Sequence, residues 1–384
     1  MMSSFIRRAT AAGLLILSAG LAMTGPASAS ALPSRVSPSW VSPVGVSPAT
    51  KPAPTAAQAG ASWLGAQFTG KEIETGGAPD PSSTVQAVLA FAAAGVGGKK
   101  AHAGLAWLKK NFESYVSPGG VDDAGSLSYV ILAAQAFGVD PTQFGGKKPT
   151  NNLINRLEAT QHTTGSDAGL FGSQDPTYDG AFRQGLSLAA LANQGIPSSD
   201  PTMHAGIRWL KDQQCRDGGW QAYRSDTRTP CPAPNTSTFA GPDTNSTALA
   251  VMGLVAAGAT FPHDPTAFFV SAQNSDGGFE FVGTSSPGSS DPDSTGEVIQ
   301  ALVALGDINK PEFTQSGGTP LTALASFQLG CSPGAADDGA YFFPGDDVPD
   351  LLATLQAVPG AAEVAFPIKP GTIKSSLPKL KCPA

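Results

Sequence analysis

Six apolar segments, each ending on a glycine, constrain this chain more than any other feature of its sequence. They read TVQAVLAFAAAG to Gly95, SLSYVILAAQAFG to Gly138, FRQGLSLAALANQG to Gly195, TALAVMGLVAAG to Gly258, TGEVIQALVALG to Gly306 and PDLLATLQAVPG to Gly360. A glycine just past an apolar periodic run lets a helix end in the left-handed conformation. The segments are Ala-rich and apolar on nearly every face, so each is predicted to be a helix buried all round. Between them lie segments apolar on one side only: GASWLGAQF, GLAWLKKNF, LINRLEATQ, GIRWLKDQQ, AFFVSAQ and LTALASFQ. The repeated unit is an outer amphipathic helix, a Gly/Asp-rich turn and an inner apolar helix. Six such pairs, with so apolar an inner set, predict an all-α double-layered ring, an (α/α)6 toroid; an open solenoid would show polar terminal caps. β-Branched residues never alternate over a useful length, so strands should be scarce.

The turns carry their own signature. WLKDQQCRDGGW (Trp209–Trp220) and FFVSAQNSDGGF (Phe268–Phe279) share one layout, with shorter echoes in DAGLF (Asp167–Phe171) and DDGAYF (Asp337–Phe342). Two glycines permit a tight reversal and an aromatic ring folds back on the helix. Gln214, at the helix end, is placed to bond backbone groups that the last turn leaves open. A phrase written this often reads as scaffolding. Its core, Gln214-Gly218-Trp220 and Gln273-Gly277-Phe279, resembles the QW motif of the terpenoid cyclase and protein prenyltransferase α/α-toroid superfamily. The resemblance covers roughly Ala57 to Val364 and implies the fold. It says little of activity, because the superfamily also holds cobalamin carriers and thioester domains. Squalene-hopene cyclases use a D-x-D-D-T acid motif; the nearest stretch here, DPDSTGE, keeps Asp291, Asp293, Thr295 and Glu297 but has Ser294 where an acid would stand. No cysteine matches the zinc site of the prenyltransferases, and the thioester motif C-G-E-Q is absent.

The repeats separate scaffold acids from the others. Counting back fifteen from each terminal glycine gives Asp80, Asp123, Gly180, Asp243, Asp291 and Gly345, with Asp179 and Asp346 one place away in the two exceptions. An aspartate at the start of each inner helix is an N-cap, satisfying open backbone N–H groups and the positive end of the dipole. Asp291 is thus predicted to be structural. Thirteen back from the glycines stand Ser82, Gly125, Phe182, Asn245, Asp293 and Asp347, and nine back Glu297 is the one acid; spaced i,i+4, Asp293 and Glu297 share a helix face. A carboxylate inside an apolar helix must be paired, protonated or bound to something. Arg183, the matching oddity on the third inner helix, is the expected partner across the ring.

The remaining sequence bounds the setting. Arg7 and Arg8 precede AAGLLILSAGLAM and two A-x-A sites, the pattern of a signal peptide over residues 1–31, which predicts a secreted, extracytoplasmic protein. Residues 32–56 hold three VSP triplets and read as a Pro/Ser-rich linker; residues 57–364 form the toroid and 365–384 a tail. After the signal no segment approaches the ~20 apolar residues a membrane span needs. Loss of the signal's two arginines takes the formal net charge from −7 to −9, against nucleic acid as a partner. Four cysteines in an exported chain predict Cys215–Cys231 and Cys331–Cys382 disulfides, the second tethering the tail. No metal set emerges: C-x-x-C is absent and the four histidines are scattered. No cofactor is indicated.

These observations predict a toroid that binds an apolar or amphipathic ligand, isoprenoid or cobalamin-like, in its centre, or that serves as a scaffold. The expected lining is Gln86, Tyr129, Arg183, Gln184, Asp293, Glu297 and Gln300. The alternative is a terpenoid cyclase-like enzyme with Asp293 as general acid beside Glu297. A protein-binding scaffold would instead show an empty or filled ring and an exposed apolar patch outside.

Overall fold

The computed structural model describes residues 54–177, 179–235, 237–238, 240–282, 290–330, 336–345 and 347–380. The predicted signal peptide, nearly all of the linker, Asp346, Cys331 and Cys382 lie outside these residues.

Thirteen α-helices are present among the described residues: α1 (Ala56–Ala66), α2 (Pro81–Ala94), α3 (Gly98–Asn111), α4 (Glu113–Val116), α5 (Ala124–Ala136), α6 (Leu153–Ala159), α7 (Gly180–Asn193), α8 (Pro201–Asp212), α9 (Thr244–Ala256), α10 (Pro265–Ala272), α11 (Pro292–Leu305), α12 (Pro320–Ser326) and α13 (Leu351–Ala361). The inner set is α2, α5, α7, α9, α11 and α13. Each packs on the next and α13 returns to α2, so the ring is closed. The outer helices α3, α6, α8, α10 and α12 each lie against the inner helix that precedes them, and α1 closes the outer layer by packing on α13 as well as α2. The predicted (α/α)6 toroid is the fold.

Local chemistry starts and stops the inner helices. Asp80, Asp123, Asp243 and Asp291 each accept the backbone N–H three residues on, from Ser83, Ser126, Ser246 and Ser294, at 2.6–3.0 Å. Gly95, Gly138, Gly195, Gly258 and Gly306 all take positive φ just beyond the helices, as predicted. Gly360 does not. It lies inside α13, where a Cβ would sit 2.6 Å from the Gly296 carbonyl oxygen, so its purpose is close approach to α11. The left-handed turn falls later, at Glu363 (φ 52°). Counting back from Gly360 therefore misplaces the sixth cap: Asp350 accepts from Ala353 N–H and begins α13.

The repeated turn phrase is a clasp between pairs. Gln161, Gln214, Gln273 and Gln328 each donate to a carbonyl of their own turn (Gly169, Gly218, Gly277, Gly339) and to one of the next pair (Thr202, His263, Phe313, Ala56). Gln328 thereby reaches α1 and locks the ring. The backbone N–H groups of Trp220, Phe279 and Tyr341 donate to Thr247, Thr295 and Thr354, which sit in the first turn of the next inner helices. Gly218 is required twice over: its φ is +95°, and a Cβ would lie 2.1 Å from the Asp264 carbonyl oxygen. In the first pair a small antiparallel sheet, β1 (Phe68–Thr69), β2 (Glu72–Thr75) and β3 (Ala78–Pro79), replaces the aromatic turn. Its buried Ile73 donates to Thr84 in the same way.

Cys215 and Cys231 form the expected disulfide. The tail is tied to the ring by other means within the described residues. Lys374 N–H donates to Gly95, Gly98 and Lys99 N–H donate to Lys374 and Ser375, and Ser62 donates to Pro378. No helix among the described residues is long and apolar enough to cross a membrane.

Candidate functional site

The inner helices are registered by their caps, so equal offsets from the capping aspartates lie at equal depth in the ring. Six residues past each cap stand Gln86, Tyr129, Gly185, Leu249, Glu297 and Gln356. Gln86, Tyr129, Glu297 and Gln356 line a central cavity together with Gln300, Leu89, Leu355, Pro359 and Phe366. On the opposite side of the ring the same layer is shut. A Cβ on Gly185 would be 2.0 Å from the Leu249 carbonyl oxygen, and one on Gly253 would be 2.4 Å from that of Gly185. Helices α7 and α9 thus touch backbone to backbone, which pushes the cavity towards α2, α5, α11 and α13.

The cavity is small, about 20 Å3. That is room for about one water, whereas drug-sized ligands occupy pockets of about 300–1,000 Å3. A larger surface hollow of about 140 Å3 beside α12 lies outside the ring; Lys310, the only charged residue lining it, is bonded to Asp307.

Three side-chain oxygens of residues that line this cavity are buried without a hydrogen-bond partner: Glu297 Oε2, Gln300 Oε1 and Gln356 Oε1. Glu297 is 4 % exposed and Gln300 2 %. Burial pushes the Glu297 carboxyl well above the ordinary carboxylate range, and the nearby Asp293, Asp243 and Asp291 push it the same way. The neutral acid is therefore the favoured form. Burial is also the main reason that Asp243 rises to about 7 and Asp291 to about 6, against their cap bonds to Ser246 and Ser294, which favour the charge. Tyr129 is raised by burial and then by Glu297, so it stays a neutral phenol. Among the described residues no lysine, arginine or histidine lines the cavity.

Four of the seven predicted lining residues, Gln86, Tyr129, Glu297 and Gln300, meet here. Asp293 is buried one turn nearer the helix start and is not part of the lining. Arg183 is not the partner of the acids across the ring. At 1 % exposed it donates to Asp179 four residues back and to the carbonyls of Phe171 and Gln174, pinning that turn over the start of α7. Asp179 is thereby diverted from capping and makes no cap bond. Gln184 faces the outer layer, accepting from Phe171 N–H and donating to Gly169 and Gly206. Leu89, Leu355, Gln356, Pro359 and Phe366 were missed. Asp350 read as the sixth cap would have found Gln356, at the same offset as Gln86, Tyr129 and Glu297. Among the described residues no group of His, Cys, Asp and Glu is arranged to hold a metal.

Residues 142–291 match the family model of the squalene-hopene cyclase C-terminal domain. A probable squalene–hopene cyclase of Sinorhizobium fredii (strain NBRC 101917 / NGR234) is 35% identical over 106 residues. The fold is an (α/α)6 toroid, and its likeness to the squalene-hopene cyclase C-terminal domain is confined to residues 142–291. The stretch matched covers 27% of this chain and 14% of the rhizobial protein's length. Among solved structures, the ent-copalyl diphosphate synthase from Streptomyces platensis is similar at 17% identity, covering 73% of this chain and 49% of that one with a TM-score of 0.45. The type II terpene cyclase MstE from Scytonema is 14% identical over 80% of this chain and 96% of its own, TM-score 0.47. The protein geranylgeranyltransferase-I of Candida albicans, complexed with GGPP, is 13% identical over 73% and 83%, TM-score 0.49.

Proposed function

We propose that this toroid is an exported binding protein that holds an isoprenoid-like amphipathic molecule in its ring, by an uncharged or cationic head group. The observation that carries this reading is the convergence of Glu297 Oε2, Gln300 Oε1 and Gln356 Oε1 on one cavity without partners. Buried polar atoms are nearly always bonded, so the two amide oxygens favour a guest that donates, and a protonated Glu297 can give a hydrogen bond to such a guest as well as accept one, as suits a hydroxyl. A diphosphate is disfavoured because, among the described residues, no lysine, arginine or histidine lines the cavity to neutralise it. A corrin fits poorly, because the ring is pinched at Gly185 and Gly253. A protein scaffold fits poorly too: among the described residues only Val121 and Val348 are large exposed hydrophobics, which makes no patch.

The second reading, a cyclase-like enzyme, is favoured by the proton held on Glu297, which takes the acid's role from Asp293. One experiment separates the two. The secreted protein is incubated with geranylgeraniol, geranylgeranyl diphosphate or squalene, and examined by native mass spectrometry and product analysis. Binding predicts unchanged geranylgeraniol retained one to one, the diphosphate held more weakly, and retention reduced in Glu297→Ala. A cyclised product that disappears in Glu297→Gln makes the protein an enzyme. Neither retention nor product would refute both readings.

A further inference from the structure

The end of the ring formed by the C-termini of the inner helices is filled by the chain's own tail. Phe366 lines the central cavity and is 9 % exposed; Ile368 is buried beside the same core. This segment and the residues C-terminal to it are held in different ways. Among the described residues, the backbone from Ala365 to Ile373 makes one hydrogen bond, from Phe366 N–H to Met252 Sδ at 3.4 Å, and thioether sulfur is a weak acceptor. The one side-chain bond of the stretch joins Lys369 Nζ to Asn193. Residues 374–378, by contrast, are bonded to Gly95, Gly97, Gly98, Lys99 and Ser62, and Leu377 packs where a Cβ on Gly65 or Gly97 would have to go. Upstream, Val364 N–H is fixed to Pro359 on α13. The tail is thus a strap fastened at both ends whose middle rests on side chains alone.

We propose that the seat of Phe366 and Ile368 is the apolar half of the ligand site, and that strap 365–373 leaves it when an isoprenoid chain enters. This rests on the reading that the ring binds such a molecule. The neighbouring walls suit an alkyl chain: Leu89, Leu355, Pro359 and Met252 lie around or against Phe366, with the polar group of Glu297, Gln300 and Gln356 beyond. The head group would meet the acceptors while the chain replaces the phenyl ring along the exit. The present cavity admits the head alone, so the strap must move to admit the chain. Closed and open forms then compete, and the apparent affinity is the intrinsic affinity multiplied by the fraction of molecules that are open.

The test uses the full secreted chain with geranylgeraniol as probe. Phe366→Ala removes the plug and should tighten binding roughly 10- to 100-fold over wild type, because the closed form loses its main apolar contact. Wild type and Phe366→Ala binding equally well would overturn the plug and leave the binding reading standing; binding by neither would overturn both. In case Phe366→Ala misfolds, thiol labelling is measured on Ile368→Cys, at a position buried while the strap is seated. Saturating geranylgeraniol should accelerate labelling there, while Lys374 N–H, bonded to Gly95, stays protected from hydrogen exchange. Unchanged labelling on a protein that has bound the probe would overturn the proposal.

Discussion

Raising the pH should weaken this fold, and Asp243→Asn should remove much of that weakness. Asp243 is 3 % exposed, caps α9 and is raised by burial from 3.8 to about 7. For an acid whose affinity for protons is higher in the folded state, the stabilisation is complete below the unfolded value. It is lost as pH climbs through the folded one. The window therefore runs from about pH 4 to about pH 7, and three pKa units correspond to about 4 kcal/mol. Asparagine keeps the cap, since its carbonyl oxygen accepts Ser246 N–H as the carboxyl does at 2.6 Å, and it has no proton to lose. Urea unfolding monitored by circular dichroism at pH 4.5, 6.0 and 7.5 should show wild type losing stability over this range. Over these pH values Asp243→Asn should lose about 3 kcal/mol less. Asp122, held low by its bonds to Arg156, changes stability in the opposite sense, as pH falls below the ordinary carboxylate range, so it does not disturb this comparison. Parallel stability-versus-pH curves for the two proteins would show that the buried cap is charged throughout and that the reasoning is wrong.

Other perturbations probe the ring directly. Glu297→Gln should likewise flatten the fall in stability with rising pH, by up to ~1.4 kcal/mol per pH unit, with little effect where Glu297 is already neutral. Gly185→Ala puts a methyl 2.0 Å from the Leu249 carbonyl, and separating α7 from α9 should cost about 1–3 kcal/mol or more, read by the same unfolding curves. Gln328→Ala strips the Ala56 and Gly339 carbonyls of their donor and should cost about 1–3 kcal/mol, with faster exchange at the start of α1 as its local mark. Cys215→Ser with Cys231→Ser opens a 16-residue separation and should cost about 3 kcal/mol, measured against the oxidised protein.

The toroid was legible because helix ends are written locally. Five of six glycines stop their helices through their own φ, and five of the six inner helices start on an aspartate bonded three residues on, four of them at the predicted position. Gly360 misled because a glycine serves close approach as readily as left-handed turning, and only its neighbour Gly296 decides between them. That one misreading hid Asp350 and, with it, Gln356. The odd charges split for a similar reason. Glu297 could be singled out by comparison with its own repeats, but Arg183 needed the carbonyls of a turn twelve residues back, which no periodicity displays. Phe366 lies outside the repeats altogether, so nothing in their spacing could place it in the cavity.

The bond from Gln328 to Ala56 removes the molecule's ends in a physical sense. A linear array of helix hairpins can melt from either terminus, and it tolerates gain or loss of a unit because each unit answers only to its neighbours. A closed circuit offers no terminus from which melting can start cheaply, and its curvature is correct for one number of units only. Heating should give a single calorimetric transition, and deletion of any one hairpin should yield no soluble intermediate-sized ring. Evolution of such a chain is then confined to its loops, its strap and the few side chains that face the axis.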